Sequence, residues 1–385
     1  MNSRNKRLNS DWDPLGKECQ NQPLTVYDRM RCKCPVAYSD KLGWSIFRHE
    51  DVVRVLNDHT TFSSVVSNHP AVPNGFDPPC HTAYRRLIEP FFAPEKVRGL
   101  ESGCREIANL ILLGLKGRGE LEFVSEVAEP YSVRAQCAFM GWKPNLSASL
   151  LQWLKRSQAA TLIGDRELLA EVAAEFSDLV YALLDSTSCE DRGAVLSALQ
   201  GQTLDGSPVG RDEIVSIVRN WTVGELGTLS AALATITHGL ATNPNVQKRV
   251  RIRAELIPYA VEEFLRMDGP LLLNRRRVKK PVQLAGKALY PNDRITVLWP
   301  AANRDSGVFE NPAEFRWNRC QKESLLYGKG IHVCPGATLA RLELNVLVET
   351  LLQQTRWLSL DPSGVAERAS FPAAGFSSLP LTIAW

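Results

Sequence analysis

Tyr327-Gly328-Lys329-Gly330-Ile331-His332-Val333-Cys334-Pro335-Gly336 sets one cysteine in a glycine-rich loop directly before a long helical pattern. Gly328, Gly330 and Gly336 permit positive φ and close backbone approach, so amide N–H groups can turn toward a sulfur that carries negative charge. The following stretch, Ala337–Gln354, has apolar residues at Leu339, Leu342, Leu344, Val346, Leu347, Leu351 and Leu352, a helical spacing that aims the positive end of a dipole back at the cysteine. Both effects favour thiolate over thiol, and the thiolate is the form that binds a metal. A lone cysteine in a turn is by default a buried structural residue; the glycines and the helix start also suit a metal-bound thiolate.

The rest of the composition sets bounds. A chain of 385 residues, 44% hydrophobic and 23% charged, can bury a large core and is ordinary for a globular protein. A net charge of +3, with no long basic run and no aromatic-basic interleaving, argues against a nucleic-acid partner. The nine cysteines are irregularly spaced without a C-x-x-C pair, so they read neither as a disulfide framework nor as a zinc site. The basic N-terminus runs into a polar stretch, and no uninterrupted apolar run of about 18 residues occurs, so no membrane association is expected and the cytoplasm is the expected location.

Along the chain, a polar N-terminal arm (1–34) precedes segments 35–38 and 43–48, which flank Ser39-Asp40-Lys41 and read as a β-hairpin. A helix is expected over 50–56. Residues 62–76, rich in Ser, Pro, Asn and Gly, predict a long loop of the kind that is often functional. From 83 to 240 nearly every segment has helical periodicity, broken near Trp142-Lys143-Pro144-Asn145 and across 201–210. Strand signals return at 278–284, 293–298 and 379–385. The expectation is a mainly α fold with a small β region drawn from both ends of the chain. With no repeat and no compositional linker, residues 1–385 read as a single domain.

The cysteine loop fills every fixed position of aromatic-Gly-x-Gly-x-His/Arg-x-Cys-x-Gly and closely resembles the haem-binding loop of the cytochrome P450 superfamily, with Tyr327 in place of the usual Phe. Four further segments resemble the same family in the family's order, so the resemblance runs from about Pro35 to the C-terminus. In Asp77-Pro78-Pro79-Cys80-His81-Thr82-Ala83-Tyr84-Arg85-Arg86, His81 and Arg85 stand at i and i+4 on one helix face. Such a pair can hold a carboxylate, and the resemblance implies contact with a haem propionate; alone, it would read as a solvated basic face. Glu263 and Arg266, in Val261-Glu262-Glu263-Phe264-Leu265-Arg266, resemble the family's structural ion pair, which Arg319 would complete; they are assigned to folding. Arg275-Arg276-Arg277-Val278 implies a further propionate ligand, with Arg276 favoured to within one residue of register, while Arg275 and Arg277 suit a solvated charge run. Ala301-Ala302-Asn303-Arg304-Asp305 matches a proximal-side segment. His332 implies another propionate contact. Of the other histidines, His49, His59 and His238 read as ordinary surface or helix residues, and His69 is a candidate substrate contact in the 62–76 loop.

The resemblance implies haem b (iron protoporphyrin IX) ligated by Cys334, and a monooxygenase that inserts one oxygen atom from O2 into a small or medium hydrophobic substrate. The family's substrate-contacting regions map onto 62–76, the surroundings of Trp221, Val223 and Leu226, residues 270–273, and Gly375 with Phe376. No fused reductase and no dinucleotide fingerprint are read, so electrons are expected from a separate ferredoxin or flavodoxin with its reductase, with Lys329 offering positive charge to such a partner. A peroxide-driven oxygenase and a non-catalytic haem-based sensor are the alternatives. The chain departs from the family in Val223-Gly224-Glu225-Leu226-Gly227-Thr228, where the pattern is Ala/Gly-Gly-x-Asp/Glu-Thr. Thr228 keeps the alcohol, Gly227 occupies the acid position, and Glu225, three residues before Thr228 on nearly the same helix face, reads as the displaced acid. Otherwise Thr228 bonds back to its own helix and Glu225 faces solvent or an ion pair.

Overall fold

Val36–Ser39 and Gly43–Ile46 pair antiparallel, as the hairpin reading requires. Gly43 holds φ +71°, and a Cβ there would overlap the Arg294 carbonyl, so the turn excludes a side chain at that point. This hairpin belongs to the first of two compact units into which the chain divides in the computed structural model, which describes residues 9–67 and 71–385. Among the described residues that unit comprises 9–67, 74–77 and 266–334.

Its five-stranded sheet runs Val36–Ser39, Gly43–Ile46, Arg294–Leu298, Leu273–Val278, Phe62–Ser63. Arg294–Leu298 lies parallel to Gly43–Ile46 and antiparallel to Leu273–Val278. The sheet thus joins strands more than 200 residues apart, in keeping with a β region drawn from distant segments. Ile46, Phe62, Val278, Ile295 and Val297 pack with Val52, Val55 and Leu56 of the helix His49–Asn57. Each such side chain contributes about 1.5–3 kcal/mol when buried. Two strand boundaries differ from expectation. Phe62–Ser63, at the start of the expected loop, pairs with Arg277 and Val278. Leu273–Val278 begins five residues before the anticipated strand, because three consecutive arginines mask its alternation: Arg276 is buried while Arg275 and Arg277 are exposed. Val282–Leu284 forms a separate hairpin with Lys287–Leu289.

The second unit comprises 71–73, 78–265 and 335–385. Its axis is the 32-residue helix Arg211–Thr242, which packs against Glu129–Met140, Arg166–Asp185 and Ala337–Gln354. Glu213 starts this central helix by accepting from the Gly210 N–H at 2.8 Å, a one-way cap, since glycine has no side chain to answer it. The two expected breaks are present. Gly141, at φ +70°, ends Glu129–Met140, and the 201–210 break holds a two-residue hairpin, Thr203–Leu204 with Ser207–Pro208. Strand Pro380–Ala384 lies between Trp357–Leu360 and Glu120–Glu122 in a three-stranded sheet. Glu120–Glu122 and Trp357–Leu360 were not legible, since strands of three or four residues carry too little alternation. Among the described residues no helix is long and apolar enough to cross a membrane.

Candidate haem site

The cysteine loop is built by its backbone. Gly328 and Gly330 hold φ +76° and +74°, the left-handed region that L side chains rarely adopt, and a Cβ on Gly330 would overlap the Leu56 carbonyl. Gly336, in contrast, sits at φ −82° as the residue before Ala337–Gln354, so the positive-φ argument holds for two of the three glycines. A 3-10 turn over Gly330–His332 folds the chain back, and the Cys334 N–H donates to the Tyr327 carbonyl at 2.8 Å. Cys334 itself is exposed, whereas Cys19, Cys104 and Cys137 are buried and their thiols are pushed up chiefly by burial, two of them to about 11 and about 12. An exposed sulfur on a backbone-fixed loop is accessible to a metal as those buried thiols are not.

In the same unit, burial separates Arg276 from its two neighbours. It is the buried member of the arginine run, and its guanidinium donates to the Arg275 carbonyl at 2.7 Å. Burial lowers its pKa to about 10, with Asp77 opposing the shift. Among the described residues it makes no ion pair, so this desolvated cation suits an anionic ligand. His332 Nε2 lies 2.8 Å from Ser64 Oγ. Asp77 in turn accepts from the Ser64 N–H at 2.9 Å and the Ser63 hydroxyl at 2.6 Å. Burial acts to raise the Asp77 pKa, but these hydrogen bonds outweigh it and hold the carboxyl below its ordinary value. Ser64 and Asp77 were missed as site residues: nothing in a Ser-rich loop singles out the serine that meets a histidine 268 positions away.

In the second unit, His81 and Arg85 lie on the helix Cys80–Ile88, both buried, and Arg85 pairs with Glu89 on the following turn at 3.0 Å. Their burial does not fit a solvated basic face. Glu263 and Arg266 are fully buried, as folding residues should be. Arg266, in the first unit, donates to the carbonyls of Asn303 and Pro312 at 2.8 and 2.9 Å and lies over the Phe309 ring. Arg319 donates to the carbonyls of Glu310, Asn311 and Glu314. His49 opens the helix His49–Asn57, as the helix alternative has it, and is buried, with Nε2 2.8 Å from the Glu323 carbonyl. His238 stacks on Phe376 at 4.5 Å. His69 lies outside the described residues.

The central helix is buried along most of its length but opens in the middle. Val223 is 55% exposed, and a Cβ on Gly224 or Gly227 would meet nothing within 4 Å. Trp221 and Leu226 are instead buried, Trp221 among Phe91, Phe92 and Phe139, so of the three expected substrate-facing residues Val223 alone stands on the open face. Thr228 makes no hydrogen bond back to its helix among the described residues, unlike Thr222, which donates to the Val218 carbonyl at 2.9 Å. Glu225 is half-buried and meets no cation among the described residues. Its carboxyl meets Gln136 of Glu129–Met140 and Glu343 of Ala337–Gln354, and burial pushes its pKa up to about 8. Glu343 was overlooked, although an acid within the apolar run Leu339–Leu347 is the signal that could have found it. Each unit carries residues that fit a haem: in the first an exposed cysteine on a rigid loop with the buried Arg276, in the second the buried His81 and Arg85 and an open stretch of the central helix.

A family model described as Cytochrome P450 matches residues 132–383. The Cytochrome P450(MEG) of Priestia megaterium is 29% identical over 387 aligned positions, spanning 93% of this chain and 94% of the relative. The linalool 8-monooxygenase of Pseudomonas putida is 25% identical, spanning 91% and 93%. Among solved structures, cytochrome P450 CYP109Q5 from Chondromyces apiculatus matches with a TM-score of 0.88 and 25% identity over 97% of this chain and 98% of that one. The loop, the mainly helical fold and these likenesses agree: the chain belongs to the cytochrome P450 family of haem-thiolate monooxygenases.

Proposed function

We propose that the 385 residues form one catalytic domain that binds haem b through Cys334 and oxidises a small or medium hydrophobic organic substrate with O2, using electrons from a separate ferredoxin or flavodoxin and its reductase. Bound haem supplies oxygen activation under thiolate donation. The observation that carries the reading is the Cys334 loop, held by two left-handed glycines with its sulfur exposed. His81, Arg85, Arg276 and His332 are the proposed propionate ligands; three of them are buried, and a buried basic group gains most from an anionic partner. Val223 and the two mid-helix glycines offer an apolar, side-chain-poor surface for the substrate. Thr228, free of a back-bond, is the proposed alcohol that orients protons there, and Glu225 is the acid. The relative that acts on linalool supports a hydrophobic substrate class.

The test is spectroscopic. Reduced protein under carbon monoxide should show the strongly red-shifted Soret band of thiolate ligation, and Cys334→Ser should lose it. A retained band would overturn the assignment.

One observation favours peroxide as an alternative oxidant: the acid position is Gly227, which has no side chain to move a proton. Comparing product yield from hydrogen peroxide with that from O2, NAD(P)H and surrogate redox proteins decides between the two.

A further inference from the structure

Arg275, Arg277 and Arg294 share one face of the five-stranded sheet. Side chains alternate along a strand and directly opposed residues share a face, so Arg276 lies on the face of its partner Ile295, while Arg275 and Arg277 lie on the other. Arg294 stands directly across from Arg277 in the antiparallel register, and Arg275, across from Thr296, is diagonal to Arg294. Opposed Cβ atoms are about 5 Å apart and diagonal ones about 7 Å, so three long side chains can converge on one group above this corner of the sheet. Although exposed, Arg275 has its pKa lowered, first by burial of part of the side chain and then by the Arg294 charge, which marks the two as near neighbours.

Like charges directly opposite on a sheet are destabilising. Other exposed arginines of this chain have a carboxylate, as Arg29 has Glu18, Arg118 has Glu126, Arg156 has Glu175 and Arg211 has Asp185. Among the described residues none of the three sheet arginines forms an ion pair, and the trio's one side-chain hydrogen bond runs from Arg294 to the Asp40 carbonyl at 3.2 Å. Two acids border the face and both are engaged. Asp77 accepts from Ser63, the residue opposite Arg277 on the edge strand, and from the Ser64 N–H, with Lys279 at 3.6 Å. Asp293 accepts from the Tyr290 N–H at 2.8 Å. The face is thus rich in charged donors and poor in acceptors. A carboxylate brings two oxygens and one charge; a phosphate monoester brings three terminal oxygens and nearly two charges, and guanidinium forks match that geometry.

We propose that this face is a binding site for a phosphate monoester, with Arg277 and Arg294 as opposed forks on its terminal oxygens and Arg275 closing one side. Binding neutralises the like-charge contact that the bare sheet carries. Free phosphate esters and the headgroup of phosphatidic acid present the same group, and the test separates them. The inference does not depend on the monooxygenase reading.

Calorimetric titration of the haem-loaded protein with glycerol 3-phosphate at low ionic strength tests the site. Arg277→Gln and Arg294→Gln should each weaken binding about tenfold, the loss of one charge-assisted fork, while Lys280→Gln, outside the trio, should change it by less than about twofold. Arg294→Lys keeps the charge and loses the fork, so it should also weaken binding several-fold; wild-type affinity in that variant would reduce the site to a general positive field and overturn it. Succinate should bind far more weakly than the ester, and equal affinity overturns the preference for phosphate. In phosphate-free buffer Arg277→Gln should melt at the wild-type temperature or above it, because a repulsive contact is gone; a lower temperature would make the arginine a structural support and overturn the reading of an unpaired face. Should glycerol 3-phosphate not bind, cosedimentation with phosphatidylcholine vesicles that contain phosphatidic acid, lost in Arg277→Gln and absent without phosphatidic acid, upholds the site with the lipid as its source. Binding to neither probe overturns it.

Discussion

The Cys334 loop and the middle of the central helix hold their chemistry in opposite ways. The loop is fixed by backbone: two left-handed glycines, one close approach to Leu56, and an N–H from Cys334 to Tyr327, all local apart from the Leu56 contact. The helix middle is fixed by side chains from other helices, with Gln136 and Glu343 meeting Glu225 from positions 89 residues before and 118 after it. A site made of backbone has a short sequence pattern that tolerates little change; a site made of distant side chains can move its acid and keep the fold.

The largest effect should come from Cys334→Ser, with complete loss of the thiolate-type carbon monoxide spectrum; any surviving band would mean that the loop is not where the iron is held. Next, Arg266→Ala should lower unfolding stability by about 3–5 kcal/mol, since it leaves the buried Asn303 carbonyl and the part-buried Pro312 carbonyl without this donor and removes a buried charge from its partners. Denaturant melts check this, and a change under about 1 kcal/mol would refute a folding role. Gly330→Ala should cost about 1–2 kcal/mol for the left-handed backbone alone, plus the overlap with Leu56, and should reduce haem content measured by absorbance per protein. Gly336→Ala, at an ordinary φ, should cost much less; equal losses at both positions would break the claim that backbone geometry sets the loop.

The pH effect at Glu225 is smaller and sharpens the other side. Its folded pKa, raised by burial to about 8, lies above the ordinary 4.5, so the stability linked to the bound proton is full below about 4.5 and is lost as pH rises through about 8. The wild-type melting temperature should therefore fall between pH 5 and 9 by at least about 3 °C, on the order of one pKa unit of linkage, and Glu225→Gln should flatten that slope. Last, Thr228→Ala should raise hydrogen peroxide release per NAD(P)H by a few-fold without altering the carbon monoxide spectrum. Unchanged coupling would remove Thr228 from proton handling.

The contrast also explains what was legible. The Cys334 loop, the His81 and Arg85 helix, the hairpin at Gly43 and the helix Ala337–Gln354 are short-range patterns, and the structure has each of them where the residues suggested. Arg276 needed the structure to separate it from Arg275 and Arg277, because burial on alternate sides of a strand is invisible in three identical residues. Glu343, Gln136, Ser64 and Asp77 carry no local pattern at all. Their roles follow from which helix or loop lies opposite, a consequence of packing. Gly227 in the acid position was visible as a departure, but not where the displaced carboxyl points.

Gly224 and Gly227 have one more consequence. Each glycine in a helix interior costs about 1 kcal/mol relative to alanine, and here both sit where Val223 is exposed and no neighbouring element packs over them. The longest helix of the described chain is therefore weakest at its centre, not at its ends. Amide hydrogens near 224–228 should exchange with deuterium faster than those of the buried turns around Ile217 and Leu233, and any flat ligand that covers this face should slow them, so occupancy could be followed by mass spectrometry without watching the reaction.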